Sequence, residues 1–403
     1  MGNTYCLLLW PCFCLLALTG CKPGSERARY WQAEASENFH LYPIVHDGVA
    51  ILAGKCGPAD CLKAVSLRAG TPVWNWLGPD SLLRKCYYNL KHYLFDDILA
   101  LPIGSSLIAI NLADGSTLWS HQSSWPGESF VEGIGARIFR TYYDGRNQLI
   151  RILEFDIYTG KSREIKTFAM PPVGRLSARS PSIAPMGKED TICITGTIHF
   201  VPRASTKSVL VFWPLNDTSF LKTIEIYPEN PSGDGVAHQG IVEGDRTYWV
   251  ANNQVACIGM EDQNEIWRVS LPRDMLTSRL LLDDGSLFFA CENEVLYALD
   301  AENGRILWQC PIAGTPSRVH VNKDKLFLIG GSDGNLYIIN KKTGTLLFKY
   351  EPAELGLGNR NTLKRTFYAG NDKLIVTDYE NWRAFDIQED GSIEISKNEA
   401  VNK

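Results

Sequence analysis

Eleven cysteines, seven histidines and scattered carboxylates make up the reactive inventory of this 403-residue chain, and their spacing limits what each can do. Cys56 and Cys61 flank Gly57-Pro58-Ala59-Asp60. A Gly-Pro turn would set the two thiols facing each other across a hairpin, where they could close a small disulfide. The alternative is a pair of ordinary small apolar strand residues. A C-x4-C spacing with no nearby His or second Cys pair is a poor zinc site. The histidines (His40, His46, His92, His121, His199, His238 and His320) are dispersed, and some fall near the starts of strands, where polar side chains more often serve structure than ligation. The acidic run DDGSLFFACENE, with Asp283, Asp284, Glu292 and Glu294, lacks calcium-loop spacing and reads as a turn and a solvated strand end. There is no G-x-S-x-G, no H-E-x-x-H and no phosphate loop. Leu355 to Asn361 (LGLGNRN) offers a G-x-G but opens no strand–helix–strand unit. The expectation is a non-enzymatic chain with no resident metal or cofactor.

One cysteine has a different setting. Tyr5 to Leu18 form a 14-residue apolar run, too short to span a bilayer comfortably but suited to a secretory signal. It ends in Leu18-Thr19-Gly20-Cys21, which resembles a bacterial lipobox. Small side chains at Thr19 and Gly20 admit a peptidase, and the Cys21 thiol would carry the lipid, palmitate included. The departure is MGNT, which has no Lys or Arg ahead of the run. Several acyl chains would hold the protein firmly to a membrane. Lys22 rather than an aspartate follows the cysteine, which under the usual sorting rule directs export to the outer membrane, facing the periplasm. Residues 1–20 are therefore expected as a signal peptide and 21–29 as a lipidated tether. Processing would leave Cys56, Cys61, Cys86, Cys193, Cys257, Cys291 and Cys310, an odd number, so at least one thiol stays unpaired in a monomer.

The elements that must position these residues are announced by a recurring phrase: a hydrophobic strand, then Asp or a near neighbour, then Gly, then an aromatic four positions on. Clear copies are LIAINLADGSTLW ending at Trp119, VLYALDAENGRILW at Trp308, LYIINKKTGTLLF at Phe348 and CLKAVSLRAGTPVW at Trp74. Weaker copies surround Gly160, Trp267 and Gly391, and an eighth near Asp217 has lost its glycine. Most copies lie roughly 40–45 residues apart, the length of one four-stranded propeller blade. Period-2 alternation, as in Leu296 to Asp300, marks strands, and the Asp-Gly pairing is hairpin chemistry, with Gly at positive φ. A large flat aromatic on the outer strand would cover the seam to the next blade; Trp74, Trp119, Trp267, Trp308 and Phe348 are assigned that role. The fold expected is an all-β, eight-bladed propeller of four-stranded antiparallel blades over 30–396, with seven blades as the alternative and 397–403 as a tail. Trp 11, Tyr 16 and Phe 16 suit such seams, and a net charge of −5 argues against a nucleic-acid surface.

These phrases resemble the pyrroloquinoline-quinone-type (PQQ-type) β-propeller repeat. With the lipobox they resemble the lipoproteins of the outer-membrane β-barrel assembly machinery. That resemblance implies a lipid-anchored, non-catalytic scaffold in the cell envelope, a monomer within a larger complex whose partners include barrel-assembly components. It also implies that an N-terminal segment adds the outer strand of the last blade. Trp31 is slightly favoured for that strand, and Ser392 to Ile395 competes for the same place. Quinone-dependent dehydrogenases share the repeat but add a vicinal Cys-Cys pair and a calcium site, and no Cys-Cys pair occurs here. A quinoprotein relative binding PQQ, or an envelope sensor or adhesion propeller, are the other readings. For partner contact the candidates are two Pro/Gly-rich excursions expected as loops: Ala169 to Asp190, with Arg175 and Arg179, and Tyr227 to Gly240, with His238.

Overall fold

The computed structural model describes residues 30–395, except 37–40, 79–91, 127–130, 145–146, 148, 170–174, 187–188, 201–204, 215–221, 226–239, 252–253, 263, 273–277, 292, 315–316, 358–366 and 379. They form a propeller of four-stranded antiparallel blades, and the sheets number eight. Seven are described down to their side chains. The fourth, Arg175–Met186, Glu189–Phe200, Ser205–Pro214 and Lys222–Glu225, is described by its backbone.

The first sheet shows the plan. A three-residue inner strand, Ile44–His46, leads by a tight turn into Val49–Cys56, which pairs with Ala59–Ser66 and then with the outer strand Pro72–Trp76. The middle strands are buried on both faces because each sheet is covered by a neighbour on either side, so Ala50, Leu52, Leu62 and Ala64 all have no exposed surface. Outer strands alternate instead: Trp74 and Trp76 turn inward while Val73 and Asn75 face solvent.

Apolar clusters run from sheet to sheet rather than into a single centre. One joins Ile98, Ala100 and Leu107 of the second sheet to Ile138 and Phe155 of the third. Others join the fifth to the sixth, the sixth to the seventh and the seventh to the eighth. The largest spans the eighth, first and second sheets, through Trp31, Ile375 and Trp382, then Leu52 and Trp74, then Leu101 and Ile108. The first and last described strands are therefore neighbours in space.

A buried arginine reinforces the seam between the second and third sheets. Arg140, on Arg137–Asp144, has no exposed surface. It donates from Nη1 to the Ser106 carbonyl at 2.5 Å and from Nη2 to the Gly104 carbonyl at 2.6 Å. Those carbonyls belong to the turn joining Ile98–Ile103 to Ser106–Asn111 and have their hydrogen bonds supplied across the seam. Arg140→Ala removes both bonds, the one to Ser106 fully buried and the one to Gly104 partly so. Unfolding stability should drop by about 2–3 kcal/mol, read from the urea midpoint at unchanged slope.

The sequence expectation differs from the structure in the fourth sheet. Arg175 and Arg179 were expected in a loop; both lie on the strand Arg175–Met186, paired antiparallel with Glu189–Phe200 from Arg175↔His199 to Met186↔Glu189. The pairing skips between Ala178 and Pro181, so Arg179 sits at an irregularity. The prolines that suggested a loop fit a first-in-order strand, which has a ladder on one side only and need not donate from Pro181 or Pro185. His238 and the turn near Asp217 lie outside the described residues.

Candidate functional site

The repeating phrase turns out to be a lock between sheets. In the sixth sheet, Asp300 and Arg305 close the hairpin: Asp300 N donates to the Arg305 carbonyl at 2.9 Å and Gly304 N to the Asp300 carbonyl at 2.8 Å. The Asp300 carboxylate accepts from Glu302 N at 2.9 Å, so the acid caps its own turn as its side-chain chemistry suggests. Gly304 then sits at φ +75°, where a Cβ would lie 2.6 Å from the Trp267 ring of the preceding sheet. Trp267 Nε1 completes the joint by donating to the Ala301 carbonyl at 3.0 Å.

The same joint recurs where Trp74 meets Gly115 and donates to the Leu112 carbonyl at 2.7 Å. It recurs where Trp119 meets Gly160 and donates to the Ile157 carbonyl at 2.7 Å. Trp308 meets Gly344 and donates to the Lys341 carbonyl at 3.0 Å. Phe348 has no N–H to give, and its seam is built differently: it stacks on Tyr350 at 6.1 Å, and the Tyr350 hydroxyl accepts from Ile393 N at 3.0 Å.

Ring closure uses the same joint once more. Tyr30–Glu34 pairs antiparallel with Asn381–Asp386, placing Trp31 opposite Ala384, so the N-terminal strand completes the last sheet. Trp31 then reaches the first sheet, lies 2.4 Å from a Cβ built at Gly70, and donates from Nε1 to the Leu67 carbonyl at 2.9 Å. Three further contacts hold this seam. Trp382 Nε1 donates to the Ala53 carbonyl at 2.6 Å, Ala35 bridges Gly54, and Ser36 Oγ donates to Asp60 at 2.6 Å. Residues around Ile393 do not compete for that slot; Ile393 bridges back to Ile387 and is buried beside the seventh sheet.

Cys56 and Cys61 are on adjacent strands of the first sheet, joined by the Gly57-Pro58 turn, with Cα atoms 5.9 Å apart and sulfurs bonded at 2.07 Å. Lys55 pairs with the nearly buried Asp60 at 2.7 Å beside them. The bond closes a loop of a few residues, so its chain-entropy contribution is small. Replacing both cysteines by serine should lower stability by about 2 kcal/mol, measured by urea unfolding against the oxidised parent. Cys257, Cys291 and Cys310 are buried and outside any disulfide, and burial pushes the Cys257 thiol up to about 12. Cys21 lies outside the described residues.

Polar side chains gather at the entry to several inner strands. Ser278 and Ser317 hold equivalent places, each accepting through Oγ from a second-strand amide: Ala290 N at 2.7 Å and Ile329 N at 2.9 Å. The residue after each is an arginine, Arg279 and Arg318, two positions before the inner strands Leu281–Asp283 and His320–Asn322. Tyr42 holds the same place ahead of Ile44–His46. The Arg318 guanidinium carbon lies 3.9 Å from the centre of the Tyr42 ring, a contact between the seventh and first sheets that passes across the last. Burial, and then the neighbouring Arg318 charge, pull Arg279 down to about 9, against Tyr42 and Glu132 acting the other way. His320 packs edge-on to Phe367 at 4.5 Å, and burial followed by the Arg318 charge lowers it to about 3, so its imidazole is neutral. The sequence expected some of the seven histidines near strand starts, and His320 is one that lies there; the repeated Ser-Arg before both strands carried no such expectation.

Other expected features are more dispersed. Asp283 pairs with Lys341 at 2.6 Å while Glu294, at the far end of the next strand, accepts from Gly314 N at 3.3 Å. His46, Asp47 and Asp97 gather at a surface turn, with both carboxylates exposed. His121 lies on the outer strand Thr117–Gln122 against Phe155, away from the axis. Among the described residues no helix is long and apolar enough to cross a membrane.

Residues 219–398 match the family model described as outer membrane protein assembly factor BamB. Among solved structures, BamB from Moraxella catarrhalis aligns with a TM-score of 0.61 at 12% identity, covering 88% of this chain and 98% of that one. Sqt1 from Saccharomyces cerevisiae aligns at 0.60 and 11% identity, over 89% and 98%. The quinohemoprotein alcohol dehydrogenase of Comamonas testosteroni aligns at 0.58 and 11%, over 92% and 78%. A search of curated protein sequences found no significant match. At such identities the solved structures speak for the fold, and it is the match over 219–398 that ties the PQQ-type repeat of this propeller to the BamB family model.

Proposed function

We propose that this chain is a non-catalytic propeller scaffold of the cell envelope, anchored by a lipid on Cys21 and serving outer-membrane protein assembly. The observation that carries the reading is the match of residues 219–398 to the BamB model. The eight sheets are read as the blades of one closed ring, with Trp31 fastening the last to the first. A ring of interlocked blades is a rigid support for loops that recognise partners. The anchor rests on the apolar run and on Thr19-Gly20-Cys21. Cys21→Ser should move the protein from the membrane pellet to the soluble periplasmic fraction; retention in the pellet removes the anchor. Crosslinking in intact envelopes followed by affinity recovery should bring down barrel-assembly components, and a recovery without any of them counts against the assembly role.

A quinone-dependent reading draws on the shared fold of the Comamonas testosteroni enzyme. It is weakened by the sequence, which has no Cys-Cys pair. Titration with PQQ and Ca²⁺, followed by absorbance and dye-linked alcohol oxidation, separates the two: saturable binding with turnover would sink the scaffold.

A further inference from the structure

We propose that a belt of aliphatic side chains on the outer rim of the propeller is a second membrane contact, which seats the ring on a phospholipid bilayer beside its lipid tether. The contact rests on the lipid-anchor reading for its setting, yet binds or fails to bind by itself.

The belt begins with an irregularity in the outer strands. In five sheets the pairing between the third strand and the outer strand skips one residue, a β-bulge in which two residues face one. The skipped residue is Val73, Leu118, Ile266, Leu307 or Leu347, each directly before the seam aromatic. It has no partner in the ladder, and its side chain stays 36–49% exposed. A bulge needs no apolar side chain for its twist, and a solvated outer strand is better served by Lys, Thr or Ser. In the sixth and seventh sheets the preceding residue, Ile306 or Leu346, is apolar and exposed as well. Among the described residues, these positions account for all but Leu77 and Tyr158 of the large hydrophobic side chains left exposed. Apolar exposure concentrated in this way marks a contact surface.

The course of the belt says what covers it. The fifth, sixth, seventh, first and second sheets form one arc of the ring, with the eighth lying inside it. The outer strand of the eighth is Tyr30–Glu34, with Trp31 as its seam aromatic, so Tyr30 holds the belt position there. Residues 21–29 therefore join the fold at the belt, and even fully extended they span only about 30 Å. A lipid on Cys21 would hold this arc of the rim close to the bilayer. The third sheet, beyond the arc, breaks the pattern. Its register shift falls elsewhere, between Ile152 and Leu153, and the matching place carries Arg163, paired with Glu154 at 2.9 Å. Apolar residues spread along a convex rim, rather than gathered in a groove, suit a fluid surface that yields to their shape. With a net charge of −5, the attraction comes from apolar burial and not from anionic headgroups.

The test is flotation with vesicles of phosphatidylethanolamine and phosphatidylglycerol, using the chain from residue 22. That chain lacks the apolar run and the lipid but keeps every described strand, so flotation reports the rim alone. Saturable binding is expected, and raising the sodium chloride concentration should not release it. Leu307→Ser combined with Leu347→Ser should weaken partitioning about tenfold or more, the effect of withdrawing two half-exposed leucines from an apolar phase. Arg163→Ser should leave it unchanged, and circular dichroism checks that each variant keeps the parent's fold. Without the lipid the contact is weak and reversible, so Cys21→Ser still releases the protein, and that experiment judges the anchor separately. Failure of the parent chain to float overturns the seat, even where the lipidated protein stays in the membrane pellet. Equal binding by the serine variant overturns it too. So does self-association that the same substitutions abolish, which would assign the belt to a second copy of the chain.

Discussion

Trp31→Ala should cost about 3–5 kcal/mol of unfolding stability, the range for emptying a buried tryptophan site. Four effects fall on this one side chain. It is buried to 6% exposure in the cluster that joins the eighth, first and second sheets. It fills the space above Gly70 that a Cβ would otherwise take. Its indole N–H satisfies the Leu67 carbonyl across the seam. It also sits on a strand that precedes the first sheet in sequence and is added to the last one, so its pairing with Ala384 closes a loop of nearly all the described residues. Nearly the whole fold lies between those partners, and their contact is entropically expensive to make. The result should therefore differ in kind from a similar loss at an internal seam. Loosening Trp31 frees Tyr30–Glu34 from Asn381–Asp386, and the last sheet then ends on an unpaired edge. Urea unfolding followed by both tryptophan fluorescence and far-ultraviolet circular dichroism is the measurement. The midpoint should fall with the two probes ceasing to coincide, because the ring can open before the remaining sheets unfold. Ile393→Ala, at the competing C-terminal segment, should shift the midpoint less and leave the probes coincident. If the two substitutions behave alike, Trp31 is not the fastening.

Much of this architecture could be read from residues alone, and the reason is physical. Hairpin glycines and outer-strand aromatics answer to local geometry, which repeats with every sheet, so Gly115, Gly304 and Gly344 and their aromatics (Trp119, Trp308 and Phe348) stood out by spacing. The second role of those glycines was not legible. Nothing within one copy says that Gly304 must leave room for Trp267 of the sheet before it, because the pair is formed by neighbours rather than within the phrase. The Arg175–Met186 strand was missed for the opposite reason. Its prolines and serines carry no strand periodicity, and an inner strand with one free edge tolerates them. The arginines ahead of the inner strands escaped notice because a lone Arg before a strand is unremarkable. Only closure of the ring brings Tyr42 to Arg318 across 276 positions of sequence, a separation that follows from their numbers. Spacing thus specifies what each sheet is, and the ring decides what the sheets bring together.

The seam makes its own prediction through glycine. Gly304→Ala should destabilise by about 2–5 kcal/mol, from two separable causes. The first is backbone strain: φ of +75° is unfavourable for any residue with a Cβ, at roughly 1–2 kcal/mol. The second is collision. The new methyl would lie 2.6 Å from the Trp267 ring, which is pinned by its hydrogen bond to Ala301 and by packing on Tyr248 at 6.1 Å. Overpacking of that kind costs about 1–3 kcal/mol more. The same sheet supplies the control. Gly285 has φ +68°, and a Cβ there meets nothing within 4 Å, so Gly285→Ala should show the strain without the collision. The difference between the two urea midpoints, at equal slope, then isolates the packing of one seam. Combining Gly304→Ala with Trp267→Leu should cost clearly less than the sum of the single substitutions, since the smaller side chain makes room for the methyl. Equal losses at Gly304 and Gly285, or strict additivity in the double variant, would mean that the seam yields freely. The close approach of Trp267 to Gly304 would then contribute nothing to holding the blades together.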